Sequence, residues 1–139
     1  MIDTAIRRLA EEPRLSGAVV HAGTVYLAGQ VADDATLDAE GQAADILHQV
    51  DALLHAAGSS KQHLLSVQIF LADMADFDAL NRAWDRWLDP AHKPARATVQ
   101  ARLANPAWRV EITATAALTP LQPPPLLQRP AQPNESMFA

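Results

Sequence analysis

The chain has 139 residues, 49% apolar and 19% charged, with a net charge of −5. That length and balance suit a single globular domain. The acidic charge and the lack of a basic stripe speak against a nucleic-acid partner, and the absence of cysteine excludes disulfides, a thiol nucleophile and Cys-ligated zinc. No apolar run approaches the roughly 20 residues that span a bilayer, and the first residues, with Asp3, Arg7 and Arg8, lack the apolar centre of a signal peptide. A cytoplasmic protein with no membrane partner is expected.

Residues 1–13 read as a short amphipathic lead-in that ends at Pro13. Two β-type stretches follow, 18–21 and 24–28, and Ala22-Gly23 between them reads as a hairpin turn. After the polar loop 33–36 a helix is predicted over about 39–57, where Ile46, Val50, Leu53, Leu54 and Ala57 recur at helical spacing. Gly58 stands where a left-handed stop is needed. The clearest strand is 64–72, with Leu65, Val67, Ile69 and Leu71 alternating against Ser66, Gln68 and Phe70. A second helix over about 77–88 carries Phe77, Leu80, Trp84 and either Trp87 or Leu88 on one face, with an N-cap candidate in 73–76 and a stop at Asp89-Pro90. Strands over 96–103 and 108–116, joined by a turn at 104–107, complete the order β-β-α-β-α-β-β.

This order predicts an α+β domain: a mixed sheet covered on one face by two helices. The other face, reached by apolar residues on both sides of 64–72, is expected to pack against other subunits. From Thr119 the chain changes character, with Pro120, Pro123, Pro124, Pro125, Pro130 and Pro133. Proline at that density feeds neither a ladder nor a helix interior. The chain therefore divides into a domain over 1–118 and a proline-rich tail over 119–139, expected to be extended or disordered.

The chemistry-bearing residues concentrate in the last two strands. One offers Arg96, Thr98, Gln100 and Arg102 in alternation, and the other Arg109, Glu111, Thr113 and Thr115. Paired as a hairpin about 104–107, these rows would share a face and bring a guanidinium, a hydroxyl and a carboxylate onto neighbouring strands. A guanidinium binds a carboxylate through two parallel hydrogen bonds, which fixes the ligand's plane as well as its charge. The same pattern also fits a solvated face of Arg–Glu pairs, and periodicity does not choose between them. Asn81 and Trp84 lie three apart on the second helix; the first reads equally as a structural amide or a ligand contact, the second as core or cleft wall. The histidines at 21, 48, 55, 63 and 92 include no i, i+4 pair, so no metal site is expected. No Ser-His-Asp set, phosphate loop or dinucleotide fingerprint is present.

Pro94-Ala95-Arg96-Ala97-Thr98-Val99-Gln100-Ala101 with Leu103, followed by Val110-Glu111-Ile112, resembles the C-terminal signature of the RidA (YjgF, L-PSP endoribonuclease) family. Tyr26-Leu27-Ala28-Gly29-Gln30-Val31, Ala56-Ala57-Gly58-Ser59-Ser60 and the stretch from Phe70 to Asn81 resemble further segments of that family, in order, so that the resemblance spans about 14–118. It implies a chorismate-mutase-like fold and a homotrimer with its sites in clefts between subunits. It implies hydrolysis of reactive imines and enamines to 2-oxo acids and ammonia, on a small imino-acid or carboxylate ligand, with no metal or organic cofactor. By position, Arg96 is implied to grip the substrate carboxylate and Glu111 to hold and polarise the attacking water. Asn81 matches a pocket asparagine, Thr98 a polar contact near the carboxylate, and Gly29 a glycine whose backbone lines the cleft.

Two departures stand out. Arg14-Leu15-Ser16-Gly17-Ala18-Val19 lacks the tyrosine that archetypal members place in the pocket, and Thr113 stands where they carry a second acid. These features resemble a YoaB-like branch and bear on substrate range. The alternative to a deaminase is a non-catalytic sensor of small carboxylates. A ribonuclease, which the older family name suggests, fits poorly with the acidic charge.

Overall fold

Turn chemistry lays out the N-terminal half. The computed structural model describes residues 3–120. Its first strand, β1 (Arg7–Glu11), lies in the segment expected to be only a lead-in; it pairs antiparallel with β2 (Ser16–His21), Leu9 opposite Ala18. Five residues are too few for period 2 to declare itself, and the pairing becomes visible only beside β2. Arg7 adds a bond from its Nη2 to the Ala57 carbonyl, 2.8 Å away. Ala22 and Gly23, at φ 50° and 85°, turn β2 into β3 (Thr24–Leu27), as expected of that pair.

α1 (Ala39–Ala57) begins where Asp38 accepts a hydrogen bond from the Gly41 amide and ends at Gly58, φ 90°. β4 (Leu64–Leu71), α2 (Phe77–Trp87) and β5 (Ala95–Gln100) follow, then β6 (Val110–Ala117). The sheet of six strands runs β1-β2-β3-β6-β4-β5. It is mixed, because β4 is parallel to β5 and antiparallel to β6. The α+β architecture predicted from the sequence is the one observed, with one strand more. No helix among the described residues is long and apolar enough to cross a membrane. The proline-rich tail lies, from 121 on, outside the described residues; Thr119 still donates from its amide to the Gly58 carbonyl.

The predicted hairpin of the last two strands does not form. β4 lies between them, and the reason is connectivity. β4, α2 and β5 make a crossover unit, which places β5 parallel to β4 on its outer side. β6 then pairs on the inner side of β4, the strand with apolar residues enough to be central. The connection spanning 101–109 passes the end of β4, where Ala101 N donates to Leu71 O (2.9 Å) and Ala72 N to Arg109 O (3.0 Å).

The core fills the space between one sheet face and the helices. Val20, Val25, Leu27, Val67, Ile69 and Ile112 meet Ile46, Leu47, Val50 and Leu54 of α1 and Leu80 and Trp84 of α2. Among the described residues nothing covers the other face, with Tyr26 and Val99 about half exposed (47% and 49%). Glu40 accepts from Arg82 and Arg86 and so ties the start of α1 to α2. Gln42, fully buried, donates to the carbonyls of Leu37 (3.0 Å) and Ala107 (3.1 Å) and accepts from Arg109 N (2.9 Å). Its amide pins the chain entering β6 onto α1.

Two outcomes are expected. Gln42→Leu leaves the Arg109 amide and the Ala107 carbonyl without partners and should lower stability by about 2–3 kcal/mol in urea unfolding; an unchanged midpoint would mean that these groups are already hydrated. The Arg82 hydrogen bond, foremost, holds the Glu40 carboxyl below its usual 4.5. A depressed carboxylate pKa contributes stability above the unfolded value and loses it as pH falls through the folded one. Glu40→Gln should therefore flatten the decline of stability below about pH 4.5, read from unfolding curves at stepped pH.

Candidate functional site

β5 is an edge strand, and its alternation decides what reaches the space beneath α2. Arg96 pairs with Val67 and Thr98 with Ile69, so both point to the helix-covered face. On α2, Asn81 and Trp84 share a face because they are three apart. Asn81 Oδ1 accepts a 2.9 Å hydrogen bond from Arg96 Nη1. The guanidinium carbon of Arg96 lies 5.1 Å from the centre of the Trp84 ring. Arg96 is half-buried, and among the described residues no Asp or Glu is within ion-pair distance of it. The Thr98 hydroxyl is buried and has no hydrogen-bond partner among the described residues. An arginine held by an amide and a ring, beside an unused hydroxyl, can still offer paired N–H donors to an anion.

A second group forms at the end of β3. Gln30 N donates to Ile112 O (2.8 Å) and Ile112 N to Gln30 O (3.0 Å), an isolated bridge that draws the chain after β3 alongside β6. Gly29 is thereby set against Glu111. A Cβ on Gly29 would stand 2.8 Å from Glu111 Oε2, so the close approach needs glycine. Glu111 is half-buried and pairs with Phe70, which puts it on the uncovered face. Gly29 also lines a cleft of about 580 Å³ with Leu15, Gln49 and Leu53. Thr113, where the resemblance leads one to look for a second acid, donates its hydroxyl to the Leu27 carbonyl at 2.7 Å. That proton is committed to the backbone.

The structure thus brings Arg96, Thr98 and Asn81 together, and Gly29 with Glu111, but it separates the two sets. Shared occupancy of one face by Arg96 and Glu111, expected from a β5–β6 hairpin, is overturned by the intervening β4. Arg96 projects with Val67 to the helices, and Glu111 projects with Phe70 to the opposite side. The contact of Trp84 with Arg96 was half-visible in its spacing from Asn81. The contact of Gly29 with Glu111 had no signal beyond a glycine closing a strand. No group of three or more His, Asp or Glu among the described residues is placed to hold a metal ion.

The sequence profile described as Endoribonuclease L-PSP matches residues 5–118. The RutC family protein YoaB of Escherichia coli is 46% identical over 113 residues, 81% of this chain and 98% of that protein. A RutC family protein of Haemophilus influenzae is 45% identical over 113 residues, 80% of this chain and 97% of its own. Among solved structures, a member of the YjgF protein family from Neisseria meningitidis is 42% identical, with a TM-score of 0.83 over 85% of this chain and 98% of that one.

Gly29→Ala should displace the Glu111 carboxylate and little else, since the obstructing atoms are the far end of a flexible side chain. Stability is expected to stay within about 1 kcal/mol of the parent, with Glu111 in a different rotamer in a crystal structure of the variant. An unmoved Glu111 would show that the backbone at 29 yields instead.

Proposed function

The chain belongs to the Endoribonuclease L-PSP family, alongside relatives named RutC and YjgF, and from that membership and the chemistry of its two residue sets we propose that it hydrolyses reactive 2-imino acids to 2-oxo acids and ammonia. The observation that carries this reading is Arg96. It is a half-buried guanidinium, fixed by neutral groups and unpaired with any carboxylate among the described residues. Keeping such a group charged and open is useful if a ligand supplies the carboxylate.

A protonated imine is already electrophilic at carbon, so orientation and one activated water suffice. Arg96 holds the carboxylate, with the Thr98 hydroxyl beside it. Glu111 holds a water against the C=N carbon. The water oxygen bonds to that carbon as the C=N π bond opens onto nitrogen, and Glu111 takes a water proton. Glu111 returns the proton to the nitrogen. The C–N bond then breaks, the carbonyl forms as the hydroxyl loses its proton, and ammonia leaves carrying that proton. This route calls on no metal or organic cofactor. With Thr113 committed to the Leu27 carbonyl, Glu111 both takes the water proton and returns it to nitrogen, without a second acid.

Because Arg96 and Glu111 face opposite sides of one sheet, a working site takes the Arg96 set of one copy and the Gly29–Glu111 set of the next. A homotrimer closed by the uncovered face, with Tyr26 and Val99 in the contact, meets that need. The overall charge of −5 gives no support to an RNA substrate.

The test generates 2-iminopropionate in situ and follows its loss. Arg96→Ala is expected to lower kcat/KM about 100-fold or more, as loss of a charge-assisted bidentate contact does. Glu111→Gln should lower kcat by about 10²–10⁴-fold. Neither variant should work alone, yet unfolding and refolding the two together should restore about a quarter of wild-type activity, because one site in four then draws Arg96 and Glu111 from intact copies. Failure of the mixture to recover activity would place both residues in one subunit's site. Carboxylate binding with no acceleration of several imines would replace the deaminase by a sensor.

A further inference from the structure

Arginine has a long, flexible side chain, and a bidentate contact needs its plane fixed. Asn81 Oδ1 restrains the guanidinium from one edge, at 2.9 Å. Trp84 restrains it from the face, 5.1 Å from ring centre to guanidinium carbon. Trp84 is only 6% exposed, as a core tryptophan is, but core packing does not require a cation on its ring.

The ring is itself braced. Trp87 packs against it in a tilted arrangement, centroids 5.6 Å apart and planes at 50°. Trp87 Nε1 donates to Asp51 Oδ2 of α1 at 2.9 Å, and Lys61 Nζ lies 5.2 Å from the centre of the Trp87 ring while donating to the Trp87 carbonyl at 2.6 Å. The orientation of Trp84 is thus set from α1 and from the segment before β4. Both direct restraints on Arg96 are neutral, so neither competes with an incoming anion as an acidic residue would.

We infer that Trp84 is a positioning residue, whose indole face fixes the plane of the Arg96 guanidinium so that its free N–H edge receives a flat carboxylate. The inference rests on Arg96 as carboxylate anchor and names what makes that anchor rigid. It acts on bound substrate and transition state alike, so its removal should appear in KM and not in kcat.

Benzoate is the binding probe and 2-iminopropionate the substrate, each used with the full chain. Trp84→Leu is expected to weaken benzoate binding and raise KM about tenfold, the scale of a desolvated cation–π contact, with kcat within about twofold of wild type. Trp84→Phe keeps an aromatic face and should bind benzoate within about threefold of wild type. Benzoate should change the tryptophan emission of the wild type, and that change should vanish in Trp84→Phe although calorimetry still records binding. If Trp84→Leu fails to fold, the two readouts on Trp84→Phe decide. Equal benzoate affinity in Trp84→Leu, a loss confined to kcat, an emission change that persists in Trp84→Phe, or no benzoate binding by the wild type would each overturn the inference. An absence of imine hydrolysis, with benzoate affinity still following the ring, would remove the deaminase reading and leave the role of Trp84 standing.

Discussion

Everything in this domain is indexed to β4. It is the strand with neighbours of both kinds, parallel β5 on one side and antiparallel β6 on the other. Its Val67, Ile69 and Leu71 are buried under the helices, so their partners across both ladders must face the same way. On the β5 side those partners include Arg96 and Thr98; on the β6 side they are Ala114, Ile112 and Val110. The intervening residue, Phe70, carries Val99 and Glu111 to the uncovered face. A slip of one residue in either ladder would drive Glu111 into the core or lift Arg96 out from under α2.

That dependence explains where the fold spends its buried polar bonds. The long connection from β5 to β6 is held by backbone bonds at the end of β4 and by the Gln42 amide, which reaches Ala107 and Arg109. The Gln30–Ile112 bridge then locks the other flank of β6. Between them these contacts fix Glu111 in register without touching its carboxylate. Gly29 contributes by lacking a side chain, since a Cβ there would occupy the space that Glu111 Oε2 fills.

The sequence was most legible where one residue type answers one local demand. Gly58 ends α1, Ala22-Gly23 turns the β2–β3 hairpin, and helical spacing placed Ile46, Val50 and Leu54 in the core. Alternation also assigned Arg96 and Thr98 to one side of β5. It could not say which strand β5 pairs with, because alternation describes a strand and carries no information about its neighbour. The hairpin expected from adjacency in sequence therefore put Arg96 and Glu111 on one face. β1 escaped notice for a related reason, since its pairing with β2, with Ala10 at φ 50°, is a property of the sheet and not of its five residues. Arg96 with Asn81 and Thr98 lies on one side of the sheet and Glu111, beside Gly29, on the other, so the roles implied by the resemblance are not brought into one place within a single chain.

Separation of the two sets has a chemical consequence of its own. Had Arg96 and Glu111 shared a face a few ångströms apart, they would neutralise one another, each lowering the other's value as anion anchor or as proton acceptor. Placing them on opposite faces keeps the guanidinium among neutral groups, an amide and an indole, and keeps the carboxylate beside a glycine backbone. In a chain with five more acidic than basic residues, an arginine with no carboxylate beside it among the described residues is not a statistical default. It needs a shielded position, and α2 supplies one by lying over the edge strand with Asn81 and Trp84 turned toward Arg96. In the homotrimer proposed above the opposed charges would meet where one copy abuts another, with a ligand carboxylate and a water between them.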